Sequence, residues 1–219
     1  MTPPDSASET AVVSVPDIRD YEKINAELVQ RLDSGAKLVC LAGAEGQRFL
    51  AAGLKGAWNA VVEVEGRAGP ELAAEMDAPG LTIVCRGPAA DGAGRGLRAG
   101  RILILGDAGE GLAYAQQGGT VLATGGTGAR AGLNQRGGVL AMLGPIGRLA
   151  GERQVGGLIF AFRDQLGPHA GRGRRGGRLL PLISETVGAD SVEVGDLAIF
   201  RAVLLDFSRW TGWEPDDRP

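Results

Sequence analysis

Histidine occurs once, cysteine twice and lysine three times, and aromatic residues make up only 5% of the 219 residues. Each scarcity closes a route. One histidine, His169, and two isolated cysteines provide no ligand cluster at a spacing used by zinc or iron-sulfur sites, and no histidine-centred triad. No serine stands in a Gly-x-Ser-x-Gly elbow, so the chain offers no serine-hydrolase centre. Carboxylates stand at Asp107, Glu110, Glu152 and Asp164, but nothing in the sequence brings two of them into a low-dielectric pocket. They read as solvated corner residues. No apolar run approaches the roughly 20 residues of a membrane span. The first 15 residues carry neither a basic start nor an apolar stretch, which points to a cytoplasmic protein. A formal charge of -3 sets up no field favouring nucleic acid or an anionic membrane, which leaves proteins or small molecules as partners.

What the chain has in abundance is glycine, with 37 residues, and these recur. Short apolar strands run into a Gly-x-x-Gly turn whose first glycine is Gly43, Gly66, Gly87, Gly106, Gly125 and Gly144, at spacings of 23, 21, 19, 19 and 19. The second turn position holds Gly46, Gly69, Ala90, Gly109, Gly128, Gly147 and Gly167, and the seventh coil lacks only the first glycine. Each coil closes on a glycine at Gly56, Gly80, Gly100, Gly119, Gly138, Gly157 and Gly177, the last four being Gly-Gly pairs. One strand per repeat of this length is a solenoid signature.

The strand positions sort into faces. Two before the turn glycine stand Leu41, Val64, Cys85, Ile104, Ala123 and Met142; four before it stand Val39, Val62, Ile83, Ile102, Val121 and Leu140. Stacked about 4.8 Å apart, these two apolar ladders make a continuous dry interior. The expected fold is all-β: a right-handed, single-stranded parallel β-helix of about seven coils with short flanking helices. A further ladder of small residues, Ala73, Gly94, Ala113, Gly132, Gly151 and Ala170 beside Gly171, marks a second tight corner, with Leu50 as the exception in the first coil. Cys40 lies three residues before its turn glycine and Cys85 two before its own, so they face opposite sides and are structural rather than disulfide-bonded.

Four segments follow. Residues 1–16 are rich in Ser, Thr, Pro and acid and read as a disordered tail. Residues 17–35 hold a capping helix whose Ile24, Leu28 and Leu32 form one apolar stripe on a polar cylinder, with Gly35 as its stop. Residues 36–182 form the solenoid, and 183–219 a second capping helix and an acidic tail. In that helix Leu197, Phe200, Val203, Leu204 and Phe207 recur at helical spacing.

Two features point to partners. Three before the turn glycine, on the outward side, stand Val84, Leu103, Leu122 and Ala141, where a solvated face would carry charge. Either the C-terminal helix covers them or a partner protein does. The run from Gly171 to Arg178 resembles an RNA-binding RGG segment but falls in register as the seventh coil. Its Arg172, Arg174, Arg175 and Arg178 are expected to dock an acidic protein surface rather than nucleic acid. The stretches Gly106–Gly111 and Thr124–Gly128 look phosphate-friendly. Each leads into a further strand instead of the helix N-terminus that a phosphate loop needs, so no cofactor is expected there.

The ensemble Gly43-Ala-Glu-Gly46, Gly66-Arg-Ala-Gly69, Gly106-Asp-Ala-Gly109, Gly125-Gly-Thr-Gly128 and Gly144-Pro-Ile-Gly147 resembles the GXGXG domain, over about residues 21–182. That domain forms the C-terminal part of the glutamate synthase large subunit. It also occurs in stand-alone proteins and as a structural subunit of formylmethanofuran dehydrogenase and of its formyltransferase/hydrolase relatives. Ile24-Asn25, Gly46-Gln47-Arg48-Phe49 and the exit from Gly157 to Asp164 look more like the glutamate synthase branch. In that family the β-helix carries no catalytic residue, and joins an amidotransferase domain to a flavin and iron-sulfur synthase domain. The resemblance implies a non-catalytic scaffold subunit without cofactor or metal. Its partners would be an amidotransferase, a flavin/iron-sulfur synthase domain or, in the C1-transfer branch, a formyltransferase.

Overall fold

The structure, a computed structural model, describes residues 10–162, 166–182 and 190–211. Expectations for residues 1–9, Asp164, 183–189 and 212–219 lie outside the described residues. Nine parallel strands form a single sheet in sequence order: β1 (Ala11–Ser14), β2 (Leu38–Ala42), β3 (Ala60–Val64), β4 (Asp77–Cys85), β5 (Ala99–Ile104), β6 (Thr120–Ala123), β7 (Val139–Met142), β8 (Leu158–Ala161) and β9 (Arg178–Pro181). Strictly sequential parallel pairing, one strand per repeat, is the β-solenoid that the glycine period requires. The register runs Val39, Val62, Ile83, Ile102, Val121, Leu140, Ile159 and Leu179, so the inner ladder read from the sequence is the observed one. All eight are fully buried. A second ladder of single bridges joins Ala68, Ala89, Ala108, Thr127, Ile146 and Leu166 inside the Gly-x-x-Gly turns.

The third side of each coil is an arc in which alternate residues are left-handed. Glu71, Ala73 and Glu75 have φ of 66°, 50° and 57°, and Arg130, Gly132 and Asn134 have 62°, 68° and 55°. The alternation turns the N–H groups of successive left-handed residues in opposite directions along the stack. Glu71 and Glu75 donate to Asp91 and Arg95 of the next coil (2.9 and 2.7 Å), while Ala73 donates to Leu50 of the previous one (2.8 Å). The middle left-handed residue points inward and must be small. In the first coil that place belongs to Ala51 (φ 56°, fully buried), not Leu50, so the exception to the small-residue ladder is a one-residue shift in register. In the seventh it belongs to Gly171 rather than Ala170.

Both ends of the chain add to the solenoid. Residues 10–16, read from composition as part of a tail, instead hold β1, which pairs with β2 (Val12 beside Cys40, Val13 beside Leu41) and leads into α1 (Val15–Ile18). Averaged Ser, Thr and Pro content hides a local Val-Val-Ser-Val run whose Val13 and Val15 are buried and whose backbone meets the otherwise unpaired edge of the first coil. Helix α2 (Tyr21–Asp33) starts at Asp20, whose carboxylate accepts from Glu22 N at 2.9 Å. It stops before Gly35, at φ +92°. Its stripe of Ile24, Leu28 and Leu32 joins the solenoid core. Asn25 ties it to the first coil's arc, donating to Phe49 O (2.8 Å) and accepting from Ala51 N (2.9 Å).

At the closing corner the coils approach closely. A Cβ on Gly137 would lie 2.3 Å from Gln117 O of the preceding coil, and Gly138 is left-handed (φ +77°). Replacing Gly137 by Ala forces backbones apart and is expected to cost about 2–4 kcal/mol. By contrast Ala115, strained at φ 54° at an arc position where three other coils hold glycine (Gly53, Gly96 and Gly173), is expected to gain about 0.5–1 kcal/mol as Ala115→Gly. Thermal melts of both variants should therefore move in opposite directions from wild type.

Candidate functional site

The outward ladder is not a surface. Val84, Leu103, Leu122 and Ala141 are fully buried, continuous with Phe160 and Leu180, beneath Phe200, Val203 and Phe207 of α3 (Val194–Thr211). Of the two ways to cover this ladder, the structure uses the chain's own helix, so these four residues present nothing to a partner. The helix lies along the stack: near its start Asp196 accepts from Arg178 of β9 at 2.6 Å, and near its end Asp206 pairs with Arg101 of β5. Ten helical residues span about 15 Å and four strand steps about 19 Å, a difference that two arginine side chains bridge. Phe160 and Phe200 meet with ring centroids 5.4 Å apart and a 47° tilt, a favourable aromatic geometry.

The arginines of the seventh coil divide. Arg174 forks onto the Asp190 carboxylate, and Leu179 N donates to the same carboxylate at 2.8 Å. The Arg174 guanidinium holds the Asp190 carboxyl below the usual carboxylate range, and the hydrogen bond from Leu179 N pulls the same way. Arg178 serves Asp196 and also donates to Ser191 O at 2.9 Å. Both side chains therefore fasten the C-terminal segment to the last coil. Arg172 and Arg175 stay exposed.

These two belong to a larger basic surface. Arg148 follows the second turn glycine, Arg130 and Arg153 stand at left-handed arc positions, and Arg136 and Arg175 precede closing glycines; all are exposed. Backbone bonds place them side by side. Arg130 N donates to Arg148 O (2.8 Å) and Arg153 N to Arg172 O (2.9 Å). Arg130 contacts Glu152 at 3.6 Å, while no ion pair joins Arg136, Arg148, Arg153, Arg172 or Arg175 to a carboxylate among the described residues. Residues 126–182 hold nine arginines against Glu152 and Asp164, a net of +7 in a chain whose total is -3. That asymmetry, hidden by the overall charge, is readable as a local count.

The corner loops that look suited to phosphate have committed their donors. Gly126 N donates to Asp107 Oδ1 (2.7 Å) and Glu110 N to Asp91 Oδ1 (2.8 Å). Thr127 N and Gly128 N donate to Pro145 O and Ala108 O of the neighbouring coils. An anion at these corners would face carboxylates and filled N–H groups.

Inside the solenoid runs a polar ladder that counting apolar positions does not bring out. Gln116, Gln135 and Gln154, at a 19-residue interval, are fully buried. Gln135 Nε2 donates to Gln116 Oε1 (3.0 Å) and Gln154 Nε2 to Gln135 Oε1 (2.9 Å). Each amide also reaches carbonyls at the closing corner, such as Gly118 O, Leu158 O and Gly157 O. Gln154 Oε1, at the end of the ladder, has no donor among the described residues. In the earlier coils Met76 and Leu97 fill this place.

No family model matches the chain, and no curated protein matches it. Among the described residues no group of three or more His, Cys, Asp or Glu could hold a metal ion, and no helix is long and apolar enough to cross a membrane.

The glutamine ladder makes a two-way test. Gln135→Ala strands the amides on either side and should destabilise the protein by about 2–4 kcal/mol in denaturant unfolding. Replacing Gln116, Gln135 and Gln154 together by Leu, the residue of the third coil, removes donors and acceptors at once and should cost less than the single change.

Proposed function

We propose that this chain is a non-catalytic cytoplasmic scaffold subunit, similar in role to the GXGXG domain of glutamate synthase, that docks an amidotransferase or synthase partner. One observation carries the reading: a fixed array of exposed arginines across the arcs of the last coils, in a chain that is acidic elsewhere. The solenoid backbone holds the Cα atoms of these arginines in register, so the spacing of the charges is set before binding and only side-chain freedom is lost when they meet a carboxylate-rich surface. Such a surface steers association and sets orientation more than it adds raw affinity. Nucleic acid is the weaker partner class. The remainder of the chain is net negative and would repel a phosphate backbone wherever it extended past the arc.

The test is size-exclusion chromatography of the full chain with the proteins encoded beside its gene. Co-elution with an amidotransferase or a flavin/iron-sulfur synthase is expected at low salt, weakening as screening shortens the reach of the charges. The triple variant Arg148→Glu, Arg153→Glu and Arg172→Glu should lose about 100-fold or more in affinity, while exposed positions leave its melting temperature near that of wild type. Elution alone beside every neighbour, or undiminished binding by the variant, overturns the reading. Co-elution with a formyltransferase would move the scaffold to C1 transfer.

A further inference from the structure

The two long helices differ on the side away from the solenoid. Outward, α2 carries Glu22, Lys23, Gln30 and Arg31, as a solvated helix should. Helix α3 instead exposes Val194, Leu197, Ile199 and Leu205, at 85%, 48%, 40% and 50%, with Ala198, Ala202 and a single charge, Arg201, also exposed between them. A helix with one apolar side in the core and a second in water carries more apolar surface than covering the ladder requires.

We propose that the outer face of α3 is a homodimer interface in which two copies pair their α3 helices antiparallel about a two-fold axis beside Ala202. Three features argue for a second copy. The stripe Val194, Ala198, Ala202, Leu205, Arg209 follows helical spacing along one side. With the axis between Arg201 and Ala202, Leu205 of each helix falls against Ala198 of the other. A large side chain then meets a small one twice, as an isologous contact demands. The ends match in charge: exposed Arg209 of one helix comes beside Glu193 of the other, whose side chain is 75% exposed although it contacts Arg178 of its own chain at 3.6 Å, and the reverse holds at the far end. Antiparallel helix dipoles favour the same arrangement. A groove of about 520 Å³ between the helix and Thr120, lined by Ile199, Ala202 and Asp206, flanks the stripe and leaves room for the partner's flanking side chains.

Sedimentation equilibrium of the full chain should give a dimer at concentrations up to about 100 μM. Leu205→Arg and Ala198→Glu alter exposed positions, so far-ultraviolet circular dichroism spectra of the folded variants should match wild type. Each variant alone should raise the dimer dissociation constant by about 100-fold. Mixed together, the two variants should dimerise again, because Arg at 205 of one chain then faces Glu at 198 of the other while the second contact is wild type. A wild-type monomer throughout this range overturns the proposal, as does a dimer unaffected by either variant. So does a mixture that stays monomeric. Charge reversal on the arginine arc should leave the dimer intact, so this inference and the scaffold reading fail separately.

Discussion

The rest of the structure depends on one constraint: each coil must lie a strand's spacing, about 4.8 Å, above the last and hydrogen-bond to it all the way round. On the strand side, parallel pairing achieves this with any residue. Elsewhere it is harder. Along the arc the chain alternates left-handed residues so that N–H groups point up and down the stack in turn, and at the closing corner the approach is close enough that a Cβ on Gly137 would overlap a carbonyl. The abundance of glycine is the chemical consequence of this spacing.

The same stacking explains why polar residues survive inside. A lone glutamine amide in a dry interior costs several kcal/mol, but at a 19-residue interval each amide meets its neighbour one coil away and the closing-corner carbonyls as well. The repeat that aligns valines thus also aligns amides. Where it stops, the ladder stops unpaired, at Gln154 Oε1. Thr82 Oγ1, buried in β4, likewise lacks a hydrogen-bond partner among the described residues, and the structure offers no physical account of it.

The strand registers are legible in the sequence because they follow from alternation and a fixed period. Val39 through Leu140 need only counting back from a glycine. What is not legible depends on local detail that the period conceals. Ala51 rather than Leu50 takes the inward arc position because the first coil is longer, and only backbone conformation distinguishes the two. β1 disappears when composition is averaged over a segment in which four residues matter. For the outward ladder the sequence allows two covers and cannot choose. The choice rests on tertiary packing of Phe200 and Phe207 and on where Arg101 and Arg178 find carboxylates. The basic run of the seventh coil is visible, but its division between arginines that fasten the C-terminal segment and arginines left in water is not.

That division locates the chain's remaining recognition capacity. A solenoid with a dry core, committed corner donors and a strand face sealed by its own helix uses its backbone to hold itself together. Under the proposed reading, recognition comes from side chains that the stack displays without using. Two clustered sets fit that description among the described residues: the guanidinium groups along the last arcs, and the outer side of α3. They differ in kind. The arc is polar, wide and of one sign, suited to an oppositely charged protein and sensitive to salt. The α3 stripe is narrow, apolar and matched end to end with its own reverse, suited to a second copy and insensitive to salt along most of its length. A dimer built on α3 would present two arginine arcs related by the two-fold axis. A partner that is itself two-fold would then be held twice, which raises its effective affinity without any new contact within either site.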